Sequence, residues 1–112
     1  MRNQNAQIIL SVSKLTRDLL CLRSELSGEI LLIVASSSGE IELRQLFKLM
    51  RMTPAAVRQN LQLLINDGHL ELRQHTTNRR CKVVCLTDKG LAVMREYERQ
   101  VQKCLSGWGA VD

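Results

Sequence analysis

Arg58, Gln59 and Gln62 fall within the segment TPAAVRQNLQLLIND, at spacings that put them on one side of a helix. Guanidinium and carboxamide groups can each form two hydrogen bonds to a base edge, Arg with guanine and Gln with adenine. Farther along, Arg79 and Arg80 stand in the polar stretch HTTNRR, where a loop-borne guanidinium suits the negative potential of a minor groove. Arg73 and Lys82 flank that stretch and suit phosphate contact or simple solubility. Thr53, Ala55 and Ala56 begin the helical segment, and the small side chains let backbone N–H groups approach a phosphate. All of this chemistry is non-covalent: reading bases and neutralising phosphates.

Those residues need elements to hold them. On a helical wheel Val57, Leu61, Leu64 and Ile65 cluster opposite Ala55, Arg58, Gln59 and Gln62, giving a packed face and a polar face. Leu63 falls at the flank. Thr53 can cap this helix and Pro54 fits its first position, while Gly68 stops it after Asp67. Next, Leu70 and Leu72 alternate with polar residues, as do Val84 and Leu86, so two half-buried strands flank a loop at His75–Asn78. Glu40–Ile41 suits a short strand pairing with that hairpin. A groove-sized helix followed at once by an Arg-tipped hairpin has the layout of a winged helix-turn-helix.

The rest of the chain reads as helix. Residues 5–23 carry Ile8, Val12, Leu15, Leu19 and Leu22 at spacings of four and three, a heptad-like seam. Ser27-Gly28 reads as a break, with Ser27 capping a helix from Glu29 to Ser36 that is apolar nearly all round. Leu43 to Met50 forms a short helix with Leu43, Leu46, Phe47 and Met50 inward. A last helix, 88–105, places Leu91, Met94, Val101 and Leu105 on a stripe, with Trp108 near its end. The expected architecture is mainly α with a small β-hairpin (α+β), one domain over 1–112. Its parts are an N-terminal dimerisation helix (5–23), a helical core and helix-turn-helix (29–67), a wing (68–87) and a C-terminal dimerisation helix (88–105). The stripes Ile8, Val12, Leu15, Leu19 and Leu91, Met94, Val101, Leu105 exceed what one small core hides, so a homodimer is expected.

Charge placement agrees. The net charge is +5, yet between Arg44 and Lys82 eight Lys/Arg face only Asp67 and Glu71. That stretch therefore carries +6 and the remainder −1. A basic belt confined to the groove-reading elements is the footprint expected for double-stranded DNA. No run approaches the roughly 20 apolar residues of a membrane span, and the polar start MRNQNAQ lacks a signal-peptide pattern, so a cytoplasmic location is expected.

Catalysis finds no support. A phosphate-cradling glycine loop, a His-Glu-x-x-His helix and a nucleophile motif with its base are all lacking, and no cofactor or metal is expected. His69 and His75 read as structural or surface residues. Cys21, Cys81, Cys85 and Cys104 do not form a disulfide pattern, and four residues along a strand would hold Cys81 and Cys85 roughly 13 Å apart.

From Ser27 to Gly90 the chain resembles the MarR family of bacterial regulators, on TPAAVRQNLQLLINDGHLEL, NRR and VVCLTDKG. The family's recognition helix ends at a Gly-Leu-Ile-like step, and its Asp-Arg-Arg-like wing leads to a Leu-Thr-x-x-Gly helix start. The resemblance implies a homodimer through both terminal helices, with one recognition helix and wing per half-site. Three departures stand out. Asn78 replaces the usual Asp and removes a wing ion pair, and Phe47 replaces a small residue inside the helix-turn-helix. Third, the further C-terminal helix of many members has no counterpart in this sequence, so a shorter dimer contact and a reduced effector pocket are expected. The expected function is a dimeric repressor on an inverted-repeat operator, with a small-molecule or protein effector left open. Two other readings stay open: a redox-sensing regulator using Cys21, and a winged-helix protein-interaction module without a DNA site.

Overall fold

The computed structural model describes residues 3–78 and 80–109, with side chains for 5–78 and 80–106. Its elements run α1 (Asn3–Leu15), α2 (Glu25–Ser36), β1 (Glu40–Glu42), α3 (Leu43–Leu49), α4 (Pro54–Asn66), β2 (Leu70–Gln74), β3 (Lys82–Leu86) and α5 (Asp88–Gly109). The strands form one antiparallel sheet in the order β1-β3-β2, with Ile41 and Leu72 both paired to Val84. This is the helical, small-sheet α+β architecture expected, including the short strand at Glu40–Ile41.

The core gathers α2, the helix-turn-helix and the sheet. Ile30, Leu31 and Val34 of α2, Leu46 of α3, Val57 and Leu64 of α4, and Val84 of β3 are fully buried. With few aromatics available, branched aliphatics fill the interior, which suits close packing in defined rotamers. The apolar side of α4 thus faces inward as the wheel requires, with Leu63 half-buried at its flank. On β2 the expected alternation fades: Leu70 is buried but Leu72 is 38% exposed, because the hairpin leaves the core as it runs outward.

The N-terminal region departs from expectation. α1 continues as a π-helical turn over Thr16–Leu20 and stops there, short of Arg23. The Thr16 hydroxyl donates back to the Val12 carbonyl at 2.9 Å and meets Tyr97 Oη of α5 at 2.7 Å, pinning α1 to α5 where the turn widens. Ser27 does not cap α2. Ser24 does, its Oγ accepting from the Ser27 N–H at 3.2 Å, so the helix starts at Glu25 and Ser27 lies buried in its first turn. Gly28 is helical rather than a breaker. It packs against Cys21, whose Sγ lies 2.8 Å from where a Cβ would sit.

The terminal helices pack against each other within the chain. Ile8, Val12, Leu15 and Leu19 are half-buried, as are Val101 and Leu105. Met94 is 4% exposed and belongs to the chain's own core, so it is not free to meet a second copy. Leu91 remains exposed, and the most open apolar residues of α1 are Ile9 at 54% and Leu10 at 66%, off the expected seam. α5 also runs past Leu105 to Gly109, and the Trp108 side chain lies outside the described residues. The radius of gyration is 15.7 Å, against roughly 13 Å for a compact chain of this length, so the molecule is elongated.

Candidate nucleic-acid interface

α4 begins as its sequence dictates. Thr53 Oγ1 accepts the Ala56 N–H at 3.3 Å, and Pro54 occupies the first turn, where its missing donor costs nothing. Ala55 is exposed and Ala56 half-buried beside this positive helix end. At the other end Gly68 adopts φ +83°, and His69 N–H donates to Leu64 O at 3.0 Å, closing the helix.

The polar face of α4 presents Arg58, Gln59 and Gln62 to solvent together, as the wheel requires. Gln62 Nε2 is held by Asn66 Oδ1 at 2.9 Å, one turn on. Arg58 lies over the Phe47 ring, its guanidinium carbon 5.3 Å from the centroid. Phe47, the bulky residue of the helix-turn-helix, therefore supports a candidate reading side chain from α3.

Two contacts that sequence reasoning missed fix the orientation of α4. Asn60 Oδ1 accepts from Ser24 Oγ at 2.6 Å, while Asn60 Nδ2 donates to Ala56 O at 2.9 Å. The cap of α2 is thereby tied to the middle of α4. A signal was present: Asn60 falls beside Val57 and Leu64 on the apolar side of the wheel, where a polar residue needs a partner. Arg23 grips Asp67 with two hydrogen bonds of 2.8 Å, linking the segment after α1 to the end of α4. The same contact holds the Asp67 carboxyl below its ordinary range.

The wing follows on β2 and β3. His75 Nδ1 accepts backbone N–H groups of Thr77 and Asn78, each at 3.2 Å, and Asn78 Oδ1 accepts from Arg80 N–H at 3.1 Å. Asn78 thus shapes the turn through its side chain, a role that needs no charge. Arg80 and Lys82 are exposed and make no ion pair among the described residues; Arg79 lies outside them. Arg73 is engaged by Glu71 and Arg44 by Glu42 at 3.6 Å, so part of the basic belt is neutralised locally. Lys48, Arg51, Arg80 and Lys82 have no ion-pair partner among the described residues.

The start of α5 is welded to the base of the wing. Thr87 Oγ1 donates to Gly68 O and accepts Gly90 N–H at 3.1 Å, while Thr87 N–H donates to His69 O at 3.2 Å. Gly90 passes so close that a Cβ would fall 2.1 Å from His69 O. This is the physical content of the Leu86-Thr87-x-x-Gly90 pattern: a cap that also bonds across, and a glycine that permits contact.

The cysteines are free thiols. At Cys21, burial and the nearby Glu25 carboxylate push the thiol up, the direction opposite to that of a reactive thiolate. No group of three or more His, Cys, Asp and Glu suited to a metal ion occurs among the described residues. No helix there is long and apolar enough to cross a membrane.

No family profile matches the chain, and no curated protein is significantly similar to it. Solved structures are. RV1404 from Mycobacterium tuberculosis superposes with a TM-score of 0.78 at 19% identity, over 95% of this chain and 72% of that one. YusO from Bacillus subtilis gives 0.71 at 16% identity, over 96% and 74%. A mutant MarR from E. coli, solved with operator DNA, gives 0.66 at 18% identity, over 92% and 75%. With a capped helix α4, the α3 helix before it and a wing closed onto α5, the chain has the winged helix-turn-helix fold of the MarR-type regulators.

Proposed function

We propose that this chain is a sequence-specific, double-stranded DNA-binding transcriptional regulator acting as a homodimer. The observation that carries the reading is the pairing of two exposed polar surfaces on adjoining elements of one fold. The exposed face of α4 offers Arg58, Gln59 and Gln62 to base edges, and the adjoining wing offers Arg80 and Lys82 to the backbone. Side chains of the first kind specify sequence, and those of the second fix position and add affinity. The MarR mutant among the fold neighbours was solved with operator DNA, which supports the same use of these elements here.

A second copy is part of the proposal. Ile9 and Leu10 stand open on α1 and Leu91 on α5, which a dimer through the terminal helices would cover. Two-fold symmetry then calls for an inverted repeat with half-sites about one helical turn apart. Occupying such a site within a promoter excludes polymerase, so the dimer acts as a repressor. Selection from a random double-stranded pool tests the proposal. The expected product is an inverted repeat; recovery of only asymmetric targets, or no enrichment of any duplex, would overturn it.

A further inference from the structure

We infer that Phe47 is a specificity-setting positioning residue: its ring holds the Arg58 guanidinium ready for one base position. The inference rests on the DNA-reading assignment above and names a residue outside the reading face. Phe47 is half-buried and packs against the core from α3, so its ring is fixed by the protein interior. Arg58 is exposed on α4, yet its guanidinium carbon stays 5.3 Å from that ring's centroid.

The chemistry of the pair matters. A phenyl ring attracts the cation through its quadrupole but takes up no strong hydrogen bond, so the guanidinium stays anchored with its donors unspent. No hydrogen bond or ion pair competes for Arg58 among the described residues. An unanchored arginine must lose its rotamer freedom on meeting a base, whereas a stacked one has lost much of it beforehand. The benefit is realised only where Arg58 meets its preferred base. Phe47 therefore sharpens one operator position and leaves the others alone.

The test uses the full chain and the duplex recovered by selection, with each base substituted at the position whose preference disappears in Arg58→Ala. Phe47→Leu should lower the preference there about 2- to 5-fold, the range for an exposed cation–π contact. Preferences at other positions and the salt dependence should stay unchanged. Phe47→Tyr, which keeps a ring, should restore the preference. In an Arg58→Ala background, Phe47→Leu should change nothing further at that position.

A reading independent of DNA comes from proton NMR of the free protein. Ring-current shifts of the Arg58 side-chain protons should be present in the unmodified chain and in Phe47→Tyr, and absent in Phe47→Leu. An even loss of affinity over all sequences, or full additivity with Arg58→Ala, would overturn the inference while leaving DNA recognition intact. Arg58 protons without ring-current shifts would overturn it as well. If the unmodified chain selects no duplex, the DNA reading fails and this inference with it.

Discussion

Two helical glycines, Gly28 and Gly90, invite the same substitution and should give different results. Alanine in a helix interior is favoured over glycine by about 1 kcal/mol when there is room for it. At Gly90 there is none: the new Cβ would lie 2.1 Å from His69 O and 3.0 Å from Leu86 Cδ2. A backbone carbonyl cannot rotate away, so α5 must lift off the wing base by more than 1 Å to regain an ordinary contact. That lift strains the Thr87 bonds to Gly68 O and His69 O, each worth about 1 kcal/mol, and overpacking costs about 1–3 kcal/mol more. After the propensity gain, Gly90→Ala should lose about 2–4 kcal/mol. At Gly28 the Cβ meets Cys21 Sγ at 2.8 Å, the movable end of a side chain. Rotation of the thiol relieves the contact, so Gly28→Ala should stay within about 1 kcal/mol of the unmodified chain. Urea unfolding of the three proteins reads the difference as a midpoint shift at constant slope. Gly90→Ala equal to or more stable than the unmodified chain would refute the reasoning.

Other outcomes follow from the same geometry. Replacing Arg58, Gln59 or Gln62 by Ala should cost roughly 1–3 kcal/mol at a matched base and relax preference at one operator position, read by competition binding. Arg80→Ala and Lys82→Ala should instead weaken binding across sequences and flatten the slope of log affinity against log salt by about 0.9 for each phosphate no longer neutralised. Leu10→Glu, a change at a side chain 66% exposed in the protomer, should leave the fold intact yet yield monomers in sedimentation. A stable monomer of the unmodified protein at micromolar concentration would remove the dimer. His69 is buried, its Nδ1 has no partner among the described residues, and burial, with Lys89 next, lowers its pKa from the ordinary 6.5. The unfolded chain therefore takes up this proton first, so stability should fall as pH drops below about 6.5 toward the depressed native value. That loss should shrink in His69→Gln, as followed by urea midpoints across the range.

Helix α4 was legible because its signals are local. Thr53 and Pro54 mark its start, Gly68 its end, and the 3.6-residue period divides its faces. The hairpin was legible for the same reason, through alternation around a polar loop. Legibility failed where a contact crosses the chain. Gly28 reads as a breaker in one dimension, but in three it lies buried within α2 beside Cys21, and the cap falls to Ser24 instead of Ser27. Met94 shares a stripe with Val101, yet α5 turns Met94 into the core near the sheet while the later turns continue along α1. The Phe47–Arg58 contact joins two helices across a turn, and no periodicity within either helix announces it. Asn60 could have been found, since a carboxamide among Val57, Leu61 and Leu64 is costly unless bonded.

Sequence-specific recognition of duplex DNA is tested most directly by one ratio. The dissociation constant for the selected inverted repeat is compared with that for a scrambled duplex of equal length, at one fixed salt concentration near physiological. A specific regulator should favour its site by about a thousandfold or more, the lower end for such proteins. Equal affinities for the two duplexes would mean that the α4 face reads no bases, contradicting the assignment.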